Sequence, residues 1–312
     1  MATDFSSIPI LDYSLCLNPS TKPEFLTGLR TALTRVGFFY LARHPVPAEL
    51  VDATAALCPA LFALPAEQKE RVRMVHSAHF FGYSRLGAER TKGRADQREQ
   101  FDFGTSTGPR SAPGDPDWMR LWGPSQQWPD EDVLPGFRAT CMHYAQSLQE
   151  LSGQLLALAA EALGLPPDAF ARFFEPDGNQ DRLKLVNYPA SEDGENQGVG
   201  PHYDGGFLTL LLQASPHRGL QVQNLSGEWI DAPPIPGTFV VNIGKALETI
   251  TQGVAIATPH RVLSPEKGST PRYSIPFFQM IRRDRIIGHE VLERRHTCSC
   301  WDRLRLTAPS TP

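Results

Sequence analysis

Cysteine is scarce. Cys16, Cys58, Cys141, Cys298 and Cys300 are spread over 312 residues, an odd and scattered set that does not suit a disulfide framework and makes reduced thiols the expectation. Long apolar runs are missing too. No stretch supplies the roughly 18 or more apolar residues of a membrane span, and the opening Met1-Ala-Thr-Asp-Phe-Ser-Ser-Ile-Pro9 has neither the basic nor the apolar segment of a secretory leader. A soluble, cytoplasmic protein without membrane attachment is expected. Nor is there an excess of charge of one sign. With 30 basic and 34 acidic residues the formal net charge is −4, which gives no electrostatic pull toward nucleic acid or an anionic membrane. The expected partner is a small-molecule substrate, and no repeat, heptad array or low-complexity tract points to another. Nothing in the sequence specifies an oligomeric state.

What is present suits a globular enzyme of one large domain or two modest ones, with 41% hydrophobic residues for a core. Leu26, Leu29, Leu33 and Val36 have the three-and-four spacing of an amphipathic helix over Glu24 to Val36, stopped by Gly37. Phe38 to Leu41 predicts a short buried strand, and Pro47 to Leu64 a second helix that ends before Pro65. Between Gly104 and Asp132 five prolines (Pro109, Pro113, Pro116, Pro124 and Pro129) predict a long irregular loop. A long helix then runs from near Pro135 to Gly164, striped by Leu148, Leu151, Leu155, Leu158 and Ala162. From Leu183 onward the pattern changes to short β-rich runs: Leu183 to Tyr188, Gly206 to Gln213, Leu220 to Asn224, Phe239 to Ile243, Ala257 to Leu263 and Tyr273 to Met280. Several strands without intervening helices predict a sandwich or jelly roll. The organisation expected is 1–110, an N-terminal helix-strand-helix region; 111–132, the loop; 133–180, bracing helices; 181–290, the catalytic core; and 291–312, a C-terminal segment.

One constellation carries chemistry. In Gly-Pro-His202-Tyr-Asp204, ligands two apart on a strand would share a face. His260, separated from Asp204 by 55 intervening residues, would have to reach the same ion from a different strand. Two imidazoles and one carboxylate form the facial set that holds non-haem Fe(II) with positions left open. Zinc can use the same donors, but eleven residues past His260 comes Pro271-Arg272-Tyr-Ser274. There a guanidinium fork and a hydroxyl on one strand face make a receptor for an oxo-acid carboxylate. Phe101, Phe103, Phe207 and Phe278 are candidates for the substrate pocket or the core, and Arg85 or Arg94 for meeting an acidic substrate or solvent. His296-Thr-Cys298-Ser-Cys300 lacks the second ligand pair of a structural zinc site and is read as ordinary thiols.

These residues stand within a wider likeness. The chain resembles the iron and 2-oxoglutarate-dependent oxygenases of the isopenicillin N synthase-like family. The likeness runs through Ile8-Pro-Ile-Leu-Asp12, Gly37 to His44, Gly82-Tyr83, Arg98-Glu-Gln-Phe-Asp102, Asn187-Tyr188-Pro189, Gly219 to Val222, Gly227-Glu-Trp229, Val241-Asn-Ile-Gly244 and the motifs above. The resemblance implies a mainly β protein with flanking α-helices, built on a double-stranded β-helix (a distorted jelly roll). It implies Fe(II) on His202, Asp204 and His260. It also implies that Arg272 and Ser274 hold the distal carboxylate of 2-oxoglutarate, with a phenol hydrogen bond from Tyr188, and that O₂ is consumed. Hydroxylation is the reaction it favours, with desaturation or ring formation also open. Two alternatives stand beside it: an iron oxidase without 2-oxoglutarate, in which Arg272 and Ser274 grip the substrate's own carboxylate, and a non-catalytic binding protein on the same fold. The chain departs from the family pattern at Tyr203, Lys245 and Gln252.

Overall fold

The computed structural model describes residues 4–105, 113–121, 123–125, 127–174, 180–191, 197–282 and 287. Its strands are β1 Ile10–Asp12, β2 Phe38–Ala42, β3 Gly82–Ser84, β4 Arg90–Thr91, β5 Arg94–Ala95, β6 Glu99–Gly104 and β7 Arg182–Tyr188. They continue with β8 Gln197–His202, β9 Leu208–Gln213, β10 Leu220–Gln223, β11 Trp229–Asp231, β12 Thr238–Ile243, β13 His260–Leu263 and β14 Arg272–Phe278. The helices are α1 Lys22–Thr31, α2 Ala48–Phe62, α3 Ala66–Arg71, α4 Phe137–Ala162 and α5 Lys245–Ile250. A large sheet runs β1-β2-β12-β9-β14-β7-β6-β3, a smaller one β11-β10-β13-β8, and β4 pairs with β5 as a hairpin.

The strands of the large sheet read as nearly continuous apolar runs because both faces are covered. On β2, Phe39 and Leu41 join the core under the helices, whereas Phe38 and Tyr40 join a second core between the sheets. The same alternation divides Leu183 and Leu185 from Val186 and Tyr188 on β7, and Phe239 and Val241 from Val240 on β12. Each large apolar side chain so buried contributes about 1.5–3 kcal/mol relative to exposure. Val199 on β8, Leu220 and Val222 on β10 and Val262 on β13 close the inter-sheet core from the smaller sheet. The two sheets thus face one another as the expected jelly-roll core, with α2 against β14 and β7 and α4 against β9 on the outside.

The expected helices are present with small shifts. α1 continues as a π-turn over Ala32–Val36 and stops at Gly37, whose φ is 74°. A Cβ there would lie 2.1 Å from Thr258 Oγ1, so a side chain is excluded by space as well as by backbone angle. The strand expected from Ala257 starts only at His260, since Pro259 has no N–H to give a ladder. In the Gly104 to Asp132 stretch, β6 ends at Gly104, and beyond it the only regular element among the described residues is a 3-10 turn at Asp117–Leu121. The periodicity gave no notice of β1, β3, β6, β8, β11 or α5. Cys16, Cys58 and Cys141 are free thiols; His296, Cys298 and Cys300 lie outside the described residues.

Candidate active site

β8 and β13 are antiparallel neighbours with His202 and His260 directly opposite one another, and the two imidazole centroids stand 4.3 Å apart. The third candidate ligand thus lies on an adjoining strand. The sequence led to the expectation that Asp204 shares a strand face with His202; it does not, because β8 ends at His202. A turn brings the carboxylate back instead. The start of α5 holds that turn: Lys245 N–H donates to the Asp204 carbonyl at 2.8 Å, Ala246 N–H to that of Gly206 at 3.1 Å and Gly244 N–H to that of Phe207 at 3.0 Å. The approach is so close that a Cβ on Gly244 would lie 2.0 Å from the Gly206 oxygen. Tyr203, beside the ligands, is exposed and has the Lys245 ammonium 4.7 Å from its ring centroid. Two of the departures from the family pattern thus pack on each other outside the ligand cluster.

Asp204 Oδ1 is 3.7 Å from His202 Nε2 and 3.8 Å from His260 Nε2. These separations are too long for hydrogen bonds, yet the candidate ligand atoms of the three residues all lie within 4.8 Å of one another. Oδ2 accepts from Thr209 Oγ1 at 2.6 Å and Asn242 Nδ2 at 2.8 Å, which fixes the carboxylate and leaves Oδ1 for the cluster. His202 Nδ1 is 2.8 Å from the Gly200 carbonyl, and His260 Nδ1 is 3.4 Å from that of Thr258. Donation from Nδ1–H to these carbonyls turns each Nε2 lone pair toward the shared point. Burial, reinforced by the neighbouring His260, pushes His202 down to about 4, so its imidazole is neutral at pH 7. Burial alone would raise Asp204, but His260, His202, Thr209 and Asn242 together hold it below its ordinary value. Two imidazoles and a carboxylate held in its ionised form fit Fe(II).

Across the cavity, Arg272 on β14 is the register partner of Tyr188 on β7, and its guanidinium carbon lies 5.0 Å from the Tyr188 ring centroid. Arg272 is 1% exposed; Nη2 donates to Gln213 Oε1 at 3.1 Å, while Nε and Nη1 have no hydrogen-bond partner. Burial lowers its pKa and Tyr188 partly offsets that. No carboxylate among the described residues pairs with it, an arrangement that is costly unless an anion arrives. Ser274 is buried on the same strand. Arg272, Ser274, Tyr188, His202, Asp204 and His260 all line one cavity between the sheets.

The remaining candidates separate cleanly. Phe278 lines the cavity, but Phe101, Phe103 and Phe207 are in the helix-side core, the first two against Trp128. Arg85 is paired with Glu70 at 2.6 Å, and Arg94 is exposed on β5; neither lines the cavity. Arg98, Lys184, Thr209 and Asn242 do, and reading the sequence missed them. The polar set Arg98, Gln100 and Asp102 alternating with Phe101 and Phe103 was the available signal of a strand with an inward polar face.

Residues 8–131 match the family model described as non-haem dioxygenase in morphine synthesis N-terminal, and residues 180–281 match that of the 2OG-Fe(II) oxygenase superfamily. The chain is 48% identical over 284 residues to the 2-oxoglutarate-dependent dioxygenase frbJ of Dothideomycetidae sp. (strain 11243), covering 90% of this chain and 76% of the relative. It is 36% identical over 296 residues to the homoarginine-6-hydroxylase 2-ODD-C23 of Glycine max, covering 89% and 86%. Among solved structures, a full-length Neurospora crassa protein in complex with alpha-KG and thymine superposes with a TM-score of 0.76 at 26% identity, covering 96% of this chain and 97% of that one.

Proposed function

Because the chain belongs to the 2OG-Fe(II) oxygenase superfamily, we propose that His202, Asp204 and His260 hold its iron and that Arg272 and Ser274, flanked by Tyr188, receive the distal carboxylate of 2-oxoglutarate. The protein is a dioxygenase that oxidises a small organic molecule. When bound, iron together with 2-oxoglutarate and O₂ supplies an oxidant strong enough for an unactivated C–H bond, with succinate and CO₂ released. The chain's part is to orient. Thr209 and Asn242 hold the Asp204 carboxylate in one rotation, and Val186, Val199 and Val262 give the cavity an apolar lining. Hydroxylation is the outcome proposed, a reading supported by relatives named as hydroxylases.

The observation that carries the assignment is the buried, carboxylate-free Arg272 guanidinium on the same cavity as the three ligands. The test is succinate formation with Fe(II), with and without 2-oxoglutarate and O₂, alongside the iron content of His202→Ala. Succinate should require both co-substrates, and the variant should lose iron. Full iron content in His202→Ala would refute the ligand set, and O₂ uptake without any need for 2-oxoglutarate would favour the oxidase alternative. No helix among the described residues is long and apolar enough to cross a membrane.

A further inference from the structure

We propose that Arg98 anchors the primary substrate and that this substrate carries a carboxylate. The inference rests on the assignment of iron and 2-oxoglutarate above, since it takes Arg272 as already committed to the co-substrate.

Position comes first. Arg98 immediately precedes β6, where Glu99 is paired with Asn187 and Gln100 with Val186. One step back along that register, Arg98 stands beside Tyr188 and shares the inward face with Gln100 and Asp102. It lines the same cavity as His202 and His260. Strand β7, carrying Tyr188, lies between β6 and β14, so Arg98 and Arg272 flank Tyr188 from opposite sides. With strands about 4.8 Å apart, the two backbones are roughly 10 Å from each other. That spacing provides two separate anion sites on one wall.

Availability comes next. The Arg98 side chain is 15% exposed and its Nε is buried without a hydrogen-bond partner. Its ion-pair partner is Asp96, 3.4 Å from Nη2. The Asp96 carboxylate is already engaged by Thr91 Oγ1 at 2.9 Å, Gln197 Nε2 at 3.2 Å and Gly200 N–H at 3.3 Å. Asp96 therefore steadies the guanidinium without saturating it. The other cation on this cavity, Lys184, is 2.9 Å from the fully buried Asp102, whose second oxygen accepts from Gln100 at 2.7 Å. Lys184 is neutralised, and Arg98 keeps donors to spare. A planar fork in a water-poor pocket suits a carboxylate better than a neutral acceptor.

Asp96 also fixes where that carboxylate would sit. It binds β8 at Gly200, two residues before His202, so the anion site and the metal ligand are tied to the same strand. A substrate gripped by Arg98 would present a C–H bond at a set distance from the oxidising centre, which is the geometry that positioning for catalysis requires.

The test is equilibrium binding to the Fe(II)- and 2-oxoglutarate-loaded enzyme, read from its visible absorbance and from tryptophan fluorescence. The probes are amino acids and aryl or straight-chain monocarboxylic acids, each paired with its primary amide. At least one acid should bind about 30-fold or more tightly than its amide, the scale of a desolvated charge pair. Arg98→Gln should abolish that difference, Arg98→Lys should retain part of it, and the Kd for 2-oxoglutarate should stay within about twofold of wild type in both. The proposal is overturned if no acid outbinds its amide in the wild-type protein, a comparison that needs no variant to fold. It is equally overturned if Arg98→Gln keeps the discrimination, or weakens 2-oxoglutarate to the same degree. Failure of the underlying assignment looks different: wild-type protein would not take up iron or 2-oxoglutarate before any probe is added.

Discussion

Asp181 is predicted to make the protein less stable at neutral pH than at mildly acidic pH, and Asp181→Asn should remove that dependence. The carboxyl is 3% exposed at the entry to β7. It accepts from Met280 N–H at 2.8 Å and Gln149 Nε2 at 2.9 Å. Burial raises its pKa from an ordinary 3.8 to about 6, with both hydrogen bonds opposing the shift. A pKa raised by folding means that the proton binds more tightly to the folded chain. The stabilisation is therefore complete below about pH 4 and is lost as pH rises through about 6. The whole span is on the order of 3 kcal/mol, of which roughly 1.4 kcal/mol falls between about pH 5 and pH 7.5. Asparagine is neutral throughout, and Gln149 can turn its amide to accept from it. Urea unfolding of both metal-free proteins at the two pH values gives the difference directly, because titrations common to both, such as that of His202, cancel. The stability of the variant relative to wild type should rise by about 1.4 kcal/mol from pH 5 to pH 7.5. A difference that is the same at both values, or one that shrinks toward neutrality, would refute the reasoning.

Three more expectations concern the site. Asn242→Leu removes one of two donors to Asp204 Oδ2 and should weaken iron binding about 10- to 100-fold; unchanged affinity in a metal titration would show that this hydrogen bond does not orient the ligand. Gly244→Ala places a Cβ 2.0 Å from the Gly206 oxygen, so the Asp204 turn must shift. Melting and iron content should report a loss of about 1–3 kcal/mol and of metal together, whereas retention of both would mean that the turn is dispensable. Arg272→Gln deletes a buried guanidinium with unpartnered nitrogens and should raise the Kd for 2-oxoglutarate about 100-fold with iron content unchanged. The melting temperature of the metal-free variant should not fall, since no carboxylate is orphaned and only the neutral Gln213 Oε1 loses a donor; a marked drop would mean that Arg272 has a structural role.

The candidate metal ligands and the Arg272-Ser274 pair, which the fold brings to one cavity, could be picked out of the sequence because their residue types are rare and their spacings short. The placement of Asp204 beyond the strand could not, since it depends on amides of α5 some forty positions later. Asn242 and Thr209 looked like polar interruptions of apolar strands until β12 and β9 were paired in register and both turned toward Asp204. Arg98 was concealed for the opposite reason. It sits among many basic residues between Arg85 and Arg98, and only the cross-strand partners of β6 distinguish it from its exposed neighbours. Phe101 and Phe103 went to the core by one step of β alternation, which no composition argument resolves.

The order of the large sheet bears on how the two halves of the chain depend on each other. Strands β12, β9, β14 and β7 from the later half stand in the middle, with β1 and β2 on one flank and β6 and β3 on the other, all from the first 104 residues. The early strands act as edge guards. Without them, β12 and β7 would each expose a row of unpaired backbone groups ready to recruit strands from other molecules. The half of the chain that carries His202, Asp204 and His260 is therefore aggregation-prone by construction until the N-terminal strands have docked at both flanks, so solubility of this protein depends on the part of the sequence that holds none of those three residues.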